Sequence, residues 1–220
     1  MSEPAASTVP TSTRLSIFPL PGALLFPGMH LPLHIFEPRY RALISDAMAR
    51  DRRIGMIQPR ATVEGGTASD PERPPLFDLG CVGRIAEFEA MEDGRYNLIL
   101  EGLSLFRVVR ELEVATQFRQ VEAELLPVVA DEQLALAMRS SLELESRRFA
   151  AAQGYQVDWD SVARLDDTAF VNGIAQIAPF DAAAKQALLE APSLEDRADL
   201  IVQLLQFFGR HDGEDRVTLQ

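Results

Sequence analysis

The chain has 220 residues, of which 47% are apolar and 25% are charged, and its formal net charge is −12. This composition is that of a globular protein with its own hydrophobic core, and it excludes a chain that is disordered throughout. Phosphate backbones repel a net negative protein, so we expect no nucleic-acid partner. The single cysteine, Cys81, excludes an intrachain disulfide.

The two ends of the chain and its hydropathy indicate where the protein acts. Residues 1–13 are predicted to form a flexible tail rich in Ser, Thr, Pro and Ala, and residues 211–220 a second tail. The first tail lacks the basic and apolar regions of a secretory signal. No stretch reaches the roughly 18 apolar residues of a membrane span. We therefore expect a soluble cytoplasmic protein with no membrane partner.

Residues 14–127 are predicted to form a strand-rich module. Four prolines and two glycines between residues 14 and 36 exclude a helix there and favour short strands joined by tight turns. A polar loop is expected at 59–75, with strands resuming from Leu79. The predicted strands are 15–18, 23–26, 29–35, 54–58, 85–91, 96–101, 103–109 and 117–125.

One helix is predicted inside this module, after the stretch LPLHIFEPR. Pro38 suits the first helical turn because its missing N–H has no intrahelical partner in any helix. Glu37 places a negative charge at the positive helix N-terminus. The apolar residues of one helix face are Tyr40, Leu43, Ile44, Ala47 and Met48.

The dipeptide Asp93-Gly94 predicts a hairpin between the strands at 85–91 and 96–101. We expect a two-residue turn in which both central residues have positive φ, because that backbone matches the twist of the flanking strands.

Residues 128–210 are predicted to form a helical bundle, because apolar residues recur there with helical spacing. Four helices are expected, the second over 167–177. Ser193 and Asp196 form a capping-box variant at the start of the fourth. The other expected boundaries are Asp131 and Gly154 for the first helix, Asp181 before the third and Gly209 at the end of the fourth.

Motifs for nucleotide hydrolysis and serine hydrolysis are missing. A phosphate-binding loop needs a lysine after a glycine-rich turn, and the only lysine, Lys185, lies in AAAKQALL. A G-x-S-x-G nucleophile elbow is also absent. A Ser–Lys dyad would require Lys185 in a helical context, and we do not favour it. Cys81 lies in a strand-like apolar stretch, where a buried, inert thiol is favoured over a nucleophile.

A metal site at His30, His34 and Glu37 is the strongest chemical alternative. Pro32 indicates that the histidines lie on a strand, where residues four apart are separated by about 13 Å. That separation is too large for one ion bound near 2 Å from each nitrogen. The sequence therefore predicts no metal and no other cofactor.

We interpret the clusters of charged residues as structural features and not as catalytic or ligand-binding sites. Carboxylate pairs occur at Glu87/Glu89, Glu92/Asp93 and Asp166/Asp167, and we interpret them as solvated strand faces, a hairpin and a helix cap. The basic cluster Arg50, Arg52 and Arg53 complements the C-terminus of the first helix.

Three stretches of the sequence together resemble one known family. They are FPLPGALLFPGMHLPLHIFEPRYRALI at 18–44, GCVGRIAEFEAMEDGRYNLILEGLSLFRV at 80–108 and KQALLEAPSLEDRADLIVQLL at 185–205. In this order they are similar to the N-terminal substrate-recognition domain of Lon proteases, and most of all to the stand-alone bacterial Lon-domain proteins.

The resemblance implies an α+β fold in which a PUA-like twisted β-barrel or sheet module is followed by an α-helical bundle. It implies a module that engages unfolded or misfolded protein segments. The ATPase and the Ser–Lys peptidase of the family lie in other domains, so no catalytic residue is implied here and we expect no enzyme. One departure is Leu105, where many relatives have an arginine.

These inferences predict a non-catalytic module that binds extended segments of client proteins or a specific partner. The predicted peptide-binding residues are Phe26, Met29, Phe36, Met91 and Tyr96. At the start of the first helix, we expect Phe36, Tyr40 and Leu43 in the core and a contact between Glu37 and Arg39. A nucleic-acid-binding PUA-like protein and an unrecognised hydrolase are the alternatives.

Overall fold

The computed structural model describes residues 12–60, 73–128 and 132–214. Asp131, the centre of the predicted 59–75 loop and most of both predicted tails lie outside these ranges. Within them, no helix combines the length and the apolar character that a membrane crossing requires.

Among the described residues, all six strands precede five of the six helices along the chain, with one helix between the second and third strands, and this confirms the predicted α+β class. The strands are β1 (Ser12–Pro19), β2 (His30–Ile35), β3 (Arg53–Ile57), β4 (Leu79–Ala90), β5 (Tyr96–Leu112) and β6 (Gln120–Leu125). One helix, α1 (Pro38–Met48), lies between β2 and β3. The helices after the strands are α2 (Leu136–Gln153), α3 (Trp159–Val162), α4 (Asp167–Ile177), α5 (Ala182–Glu190) and α6 (Leu194–Glu214).

The six strands form one sheet in the order β2-β5-β4-β3-β1-β6, and β6 also pairs with β5. This second pairing closes β5, β4, β3, β1 and β6 into a ring. The β1–β3 pair is parallel and the other pairs are antiparallel. The strand β2 stays outside the ring, on the edge of β5.

The 17-residue strand β5 changes its partner part of the way along. Residues 96–101 pair with β2, whereas residues from Phe106 onward pair with β6. The register with β4 shifts where Val82 pairs with Ser104 and Gly83 with Gly102, which leaves Leu103 as an extra residue. This bulge explains why the sequence predicts two strands where the structure has one.

The helix α1 begins where the sequence predicts it. Pro38 occupies its first turn, and Tyr40 and Leu43 are buried against the sheet. The Tyr40 hydroxyl donates to the Pro19 carbonyl oxygen at 2.8 Å, which ties α1 to the end of β1. The predicted Glu37–Arg39 contact is confirmed at 2.9 Å. Phe36, by contrast, is 60% exposed, so its predicted core position was wrong.

Phe36 is exposed because β2 ends at Ile35 and the side chains of a strand alternate between its two faces. Ile35 points into the core, and Phe36 therefore points away from it. Its ring lies 6.2 Å from that of His34, which is on the same outer face.

Two predictions in the strand-rich module were wrong. Residues 23–26 do not form a strand; they are a loop whose side chains Leu24, Leu25 and Phe26 are each about 1% exposed. The hairpin between β4 and β5 has a three-residue loop rather than a two-residue turn. Met91 accepts from the Gly94 N–H and donates to the Arg95 carbonyl oxygen, and in this loop only Gly94 has positive φ.

The helices agree with the sequence at most of their starts and differ at some ends. Gly154 ends α2 with a left-handed backbone, and the Ser193 hydroxyl accepts from the Asp196 N–H at 3.1 Å, as a capping box requires. However, α2 begins at Leu136, and α6 continues past Gly209 to Glu214. The short helix α3 was not predicted, because four residues are too few to show a helical period.

Three apolar clusters hold these elements together. The interior of the ring contains Phe106, Ile17 and Val121, and a second cluster packs α1 on the sheet. The largest cluster joins the helices α2, α4, α5 and α6 to Phe26, Leu24 and Leu79 of the strand-rich module. The helices therefore pack on the strand-rich module through a shared core.

Candidate functional site

A groove of about 1110 Å³ lies between the strands and the helices. We call it the inter-module groove. Its strand wall consists of the loop 26–29, the segment of β5 around the Leu103 bulge, and the residues after β6. Its helix wall consists of Glu132, the start of α4, and the connection from α5 to α6.

The groove lies where β5 passes from β2 to β6. Between Glu101 and Phe106, β5 has no strand on this edge, and the loop 26–29 covers part of the gap. The Gly28 N–H donates to the Gly102 carbonyl oxygen at 2.9 Å, and the Gly102 N–H donates to the Met29 carbonyl oxygen at 2.8 Å. A side chain at Gly102 would lie 2.7 Å from the Phe26 carbonyl carbon, so the close approach of the loop requires glycine.

The strand wall is mainly apolar. Met29, Leu103, Leu105 and Leu126 are half-buried and line the groove. Arg107 is the charged residue of this wall. A wall of half-exposed aliphatic side chains can bury apolar groups of a ligand, at about 25 cal/mol per Å² removed from water.

The helix wall is rich in carboxylates. Asp166 caps α4 by accepting from the Ala169 N–H at 2.7 Å. Glu190, at the end of α5, accepts from Gln186 Nε2 at 2.8 Å. Glu132 accepts from the Leu194 N–H at 2.6 Å and so satisfies a free donor at the start of α6.

Asp167 ties the segment before α2 to α4. It accepts from the Leu134 N–H at 2.8 Å and from Arg139 Nη1 at 2.7 Å. The Leu134 N–H, with the Arg139 guanidinium, holds the pKa of Asp167 below its ordinary value. The same guanidinium lies over the Phe170 ring at 4.3 Å, so one half-buried arginine joins α2 to α4.

Replacing Asp167 with asparagine is expected to lower the free energy of unfolding by about 1–2 kcal/mol at pH 7, because it removes a charge-assisted hydrogen bond to Arg139. The folded-state pKa of Asp167 is depressed, so its stabilisation is complete above the unfolded pKa of about 3.9. It is lost as the pH falls through the folded pKa. Urea unfolding at a series of pH values therefore gives a difference between wild type and variant that shrinks in acid.

Asp46→Asn is the control for this pH series, because it breaks an exposed i,i+4 pair with Arg50. Exposed pairs contribute about 0–1 kcal/mol. A difference for Asp167→Asn that stays constant from pH 7 to pH 2 contradicts the assigned cause.

Arg197 is a half-buried connection at the back of the groove. Its Nε donates to the Leu188 carbonyl oxygen at 2.8 Å, and its Nη1 donates to Asn172 Oδ1 at 2.9 Å. Its guanidinium lies 4.8 Å from the centre of the Phe26 ring. Burial lowers the pKa of Arg197, and the charge of Glu132 acts in the opposite direction. One side chain thus links α4, α5, α6 and the loop 26–29.

The structure divides the predicted binding residues into two groups. Phe26 and Met29 belong to the inter-module groove, where Met29 lines the wall and the Phe26 ring is buried beneath Arg197. Phe36, Met91 and Tyr96 lie at the opposite end of β2, near the β4–β5 hairpin. The two groups are separated by the length of β2, about 20 Å for six residues.

The hairpin group does not form one surface. Tyr96 faces α1, where its hydroxyl lies 3.3 Å from Ser45 Oγ, and its ring contacts Phe88 at 5.1 Å. Phe36 lies on the other face of the sheet, beside His34.

Sequence reasoning missed most of the groove. Leu103 was assigned only to a strand, Leu105 was noted only as a departure from the family pattern, and the α4 carboxylates were assigned only to a cap. The sequence contains a weak signal for the strand wall. Gly102 lies inside a predicted strand region, where glycine often marks a bulge or a close approach, and the next alternate residues are Leu103, Leu105 and Arg107. The helix wall had no local signal, since it faces β5 only after the two modules pack.

The residues considered for catalysis have structural contacts. Cys81 is 1% exposed on β4, and burial raises the pKa of its thiol, as expected for an inert cysteine. Lys185 is buried on α5 and donates to the Gln176 carbonyl oxygen at 3.0 Å, which satisfies an acceptor near the end of α4. Burial lowers the pKa of Lys185.

The two histidines considered for a metal lie on β2, as predicted from Pro32, whereas Glu37 is the residue immediately before α1. His34 Nδ1 lies 2.7 Å from Asn97 Oδ1, and Asn97 Nδ2 donates to Glu89 at 3.1 Å, so this histidine belongs to a cross-strand hydrogen-bond chain. Across residues 12–60, 73–128 and 132–214, no three His, Cys, Asp or Glu side chains come together as a metal site would need.

With this geometry established, comparison with known proteins defines the class of the chain. The family model of the ATP-dependent protease La (LON) substrate-binding domain matches residues 14–206. The chain therefore belongs to the LON substrate-binding domain family, and the resemblance seen in the sequence is confirmed.

Individual relatives agree with this assignment. The chain is 31% identical over 204 residues to Lon protease 2 of Myxococcus xanthus, and 30% identical over 200 residues to the Lon protease of Anaeromyxobacter dehalogenans. In both cases 87% of this chain is aligned with 23% of the relative. The chain thus spans about a quarter of the length of these curated relatives.

Solved structures share the fold. A Lon N-terminal domain protein from Xanthomonas campestris aligns with a TM-score of 0.62 and 22% identity, covering 88% of this chain and 98% of that one. The N-terminal domain of a Mycobacterium avium complex Lon protease aligns with a TM-score of 0.61 and 16% identity over the same shares.

Proposed function

We propose that this protein is a non-catalytic module that binds unfolded or extended segments of client proteins in the inter-module groove. Its membership of the LON substrate-binding domain family makes substrate recognition the expected class of function. The observation that carries the proposal is the groove itself, which combines half-exposed aliphatic side chains with a polar wall. Such a combination is typical of sites that bury apolar groups and orient them with a few polar contacts.

In this proposal, residues 14–127 form a PUA-like barrel that supplies the apolar strand wall. Residues 128–210 form a helical bundle that supplies the carboxylate-rich helix wall. The binding is cytoplasmic and requires no cofactor. A nucleic-acid ligand is disfavoured because the described residues that line the groove include four carboxylates and two arginines, which is the wrong balance for a phosphate backbone.

The proposal is tested by measuring binding to a reduced, carbamidomethylated protein that cannot fold, with its folded counterpart as the comparison. We expect binding of the unfolded form alone, and no cleavage of it. The absence of binding to any unfolded protein at high micromolar concentration contradicts the proposed function.

Replacing Leu103 with glutamine is expected to weaken this binding about 10-fold, because burial of one aliphatic side chain at an interface contributes about 1.4 kcal/mol. Val109→Gln is the matched control, since Val109 lies on the same strand, is 56% exposed and is not part of the groove. Titration calorimetry with the unfolded protein provides the measurement. Equal losses for the two variants place the binding surface elsewhere.

A further inference from the structure

The inter-module groove is chemically two-sided. The four carboxylates among its described lining residues belong to the helix wall; they are Glu132, Asp166, Asp167 and Glu190. The aliphatic residues Met29, Leu103 and Leu105 belong to the strand wall. A ligand that fills the groove therefore contacts apolar surface on one side and negative charge on the other.

Two of the carboxylates form no ion pair with any cation in the part of the chain that the structure describes. The charge of Asp167 is paired with Arg139, and Glu132 lies within electrostatic reach of Arg197. Asp166 and Glu190 are exposed, and their hydrogen-bond donors among the described residues are the uncharged Ala169 N–H and Gln186 side-chain amide. These two side chains carry the negative charge that is available to a ligand.

The two arginines of the groove do not reverse this sign. Arg197 uses its guanidinium on Leu188, Asn172 and the Phe26 ring. Arg107 is a single exposed cation on the opposite wall. The rest of the protein adds to the negative field, because the whole chain has a net charge of −12 and residues 121–220 contain 8 basic against 18 acidic residues.

We infer that the groove selects extended polypeptide segments in which apolar and basic side chains alternate. This inference rests on the proposed function and specifies its substrate class. Successive side chains of an extended peptide point to opposite sides. A segment with leucine or valine at every second position and lysine or arginine between them presents its apolar side to the strand wall. Its basic side chains then face Asp166 and Glu190.

The test uses four capped 12-residue peptides with glycine-serine flanks. The first alternates leucine and lysine; the second has the same residues in a leucine block and a lysine block. The third and fourth replace each lysine of the alternating peptide with glutamate or with glutamine. Affinities are measured by fluorescence anisotropy, and competition with an unfolded protein establishes that the peptides use the same site.

We expect the alternating lysine peptide to bind about 10-fold more tightly than the glutamate peptide, and more tightly than the block peptide. The advantage over glutamate should shrink as salt rises from about 50 to 500 mM, because exposed charges are screened. The double variant Asp166→Asn/Glu190→Gln should lose several-fold in affinity for the lysine peptide and keep its affinity for the glutamine peptide. Asparagine still caps α4 in that variant.

Glu87→Gln is the control, since it removes an exposed carboxylate of β4 outside the groove. Equal or tighter binding of the glutamate peptide, or equal binding of the alternating and block peptides, overturns the inference. It is also overturned if the unfolded protein binds and none of the four peptides competes with it. Failure of the unfolded protein to bind at all contradicts the proposed function instead.

Discussion

Replacing Gly102 with alanine is expected to lower the free energy of unfolding by about 3 kcal/mol, the upper part of the range for overpacked buried positions. The added methyl group would lie 2.7 Å from the Phe26 carbonyl carbon and 3.2 Å from the Pro27 nitrogen. Both are backbone atoms, held by the hydrogen bonds between Gly102 and residues 28 and 29. They cannot rotate away as the end of a flexible side chain can.

The Gly102→Ala molecules that still fold are expected not to bind an unfolded protein. The loop 26–29 must move away from β5 to admit the methyl group, and this loop forms part of the strand wall. Urea unfolding measures the stability, and titration with an unfolded protein under native conditions measures the binding.

Gly173→Ala is the control for Gly102→Ala. Gly173 lies within α4, and its added methyl group would meet only Met29 Cε at 3.9 Å, which is an ordinary contact. Alanine is a better helix former than glycine by about 1 kcal/mol, so this variant should be slightly more stable than the wild type. If Gly102→Ala and the wild type have the same midpoint of urea unfolding, the loop 26–29 does not approach β5 as closely as described.

Replacing Arg197 with methionine is expected to cost about 3 kcal/mol of stability, because the half-buried guanidinium makes two hydrogen bonds and bonds to charged groups contribute about 1.5–3 kcal/mol each. The variant keeps the aliphatic stem but leaves the Leu188 carbonyl and Asn172 Oδ1 without their donor. It also removes the cation from the face of the Phe26 ring. Thermal and urea unfolding are the measurements.

A double-mutant cycle separates the ring contact from the hydrogen bonds. Phe26→Leu removes the ring, and we expect its cost and that of Arg197→Met to be non-additive by about 1 kcal/mol, because the residues are in contact. Arg197→Lys should recover little stability, since an ammonium group cannot reproduce two directed guanidinium bonds. A methionine variant as stable as the wild type contradicts the role assigned to Arg197.

These two positions show how stability and the proposed binding depend on the same contacts. Gly102 and Arg197 both hold the loop 26–29, one from the strand side and one from the helix side. The loop has no regular secondary structure, yet Phe26 is 1% exposed and joins the largest apolar cluster. This part of the strand wall is therefore held in place by buried contacts although it has no regular secondary structure.

The sequence was most informative where a few neighbouring residues carry the physical cause. Pro38 after a short apolar strand, the capping box at Ser193 and the left-handed Gly154 each act within one turn of backbone, and each was predicted correctly. The family resemblance was also readable from the chain, because three ordered blocks distribute the pattern over most of its length.

The sequence misled where neighbouring residues resemble another structure. Residues 23–26 have the composition of a strand, but they pack as a loop against β5 and the helices. Asp93 and Gly94 match a two-residue turn, but the hairpin takes three residues. Phe36 is as apolar as Ile35, but the alternation of strand side chains sends the two in opposite directions.

Local pattern thus sufficed for the α+β class and for most helix starts. The groove required the folded chain, because its walls come from residues 26–29, 103–107, 126–128 and 166–197. Segments so distant in sequence meet through the packing of whole apolar faces, and periodicity within any one segment carries no information about which face it will meet.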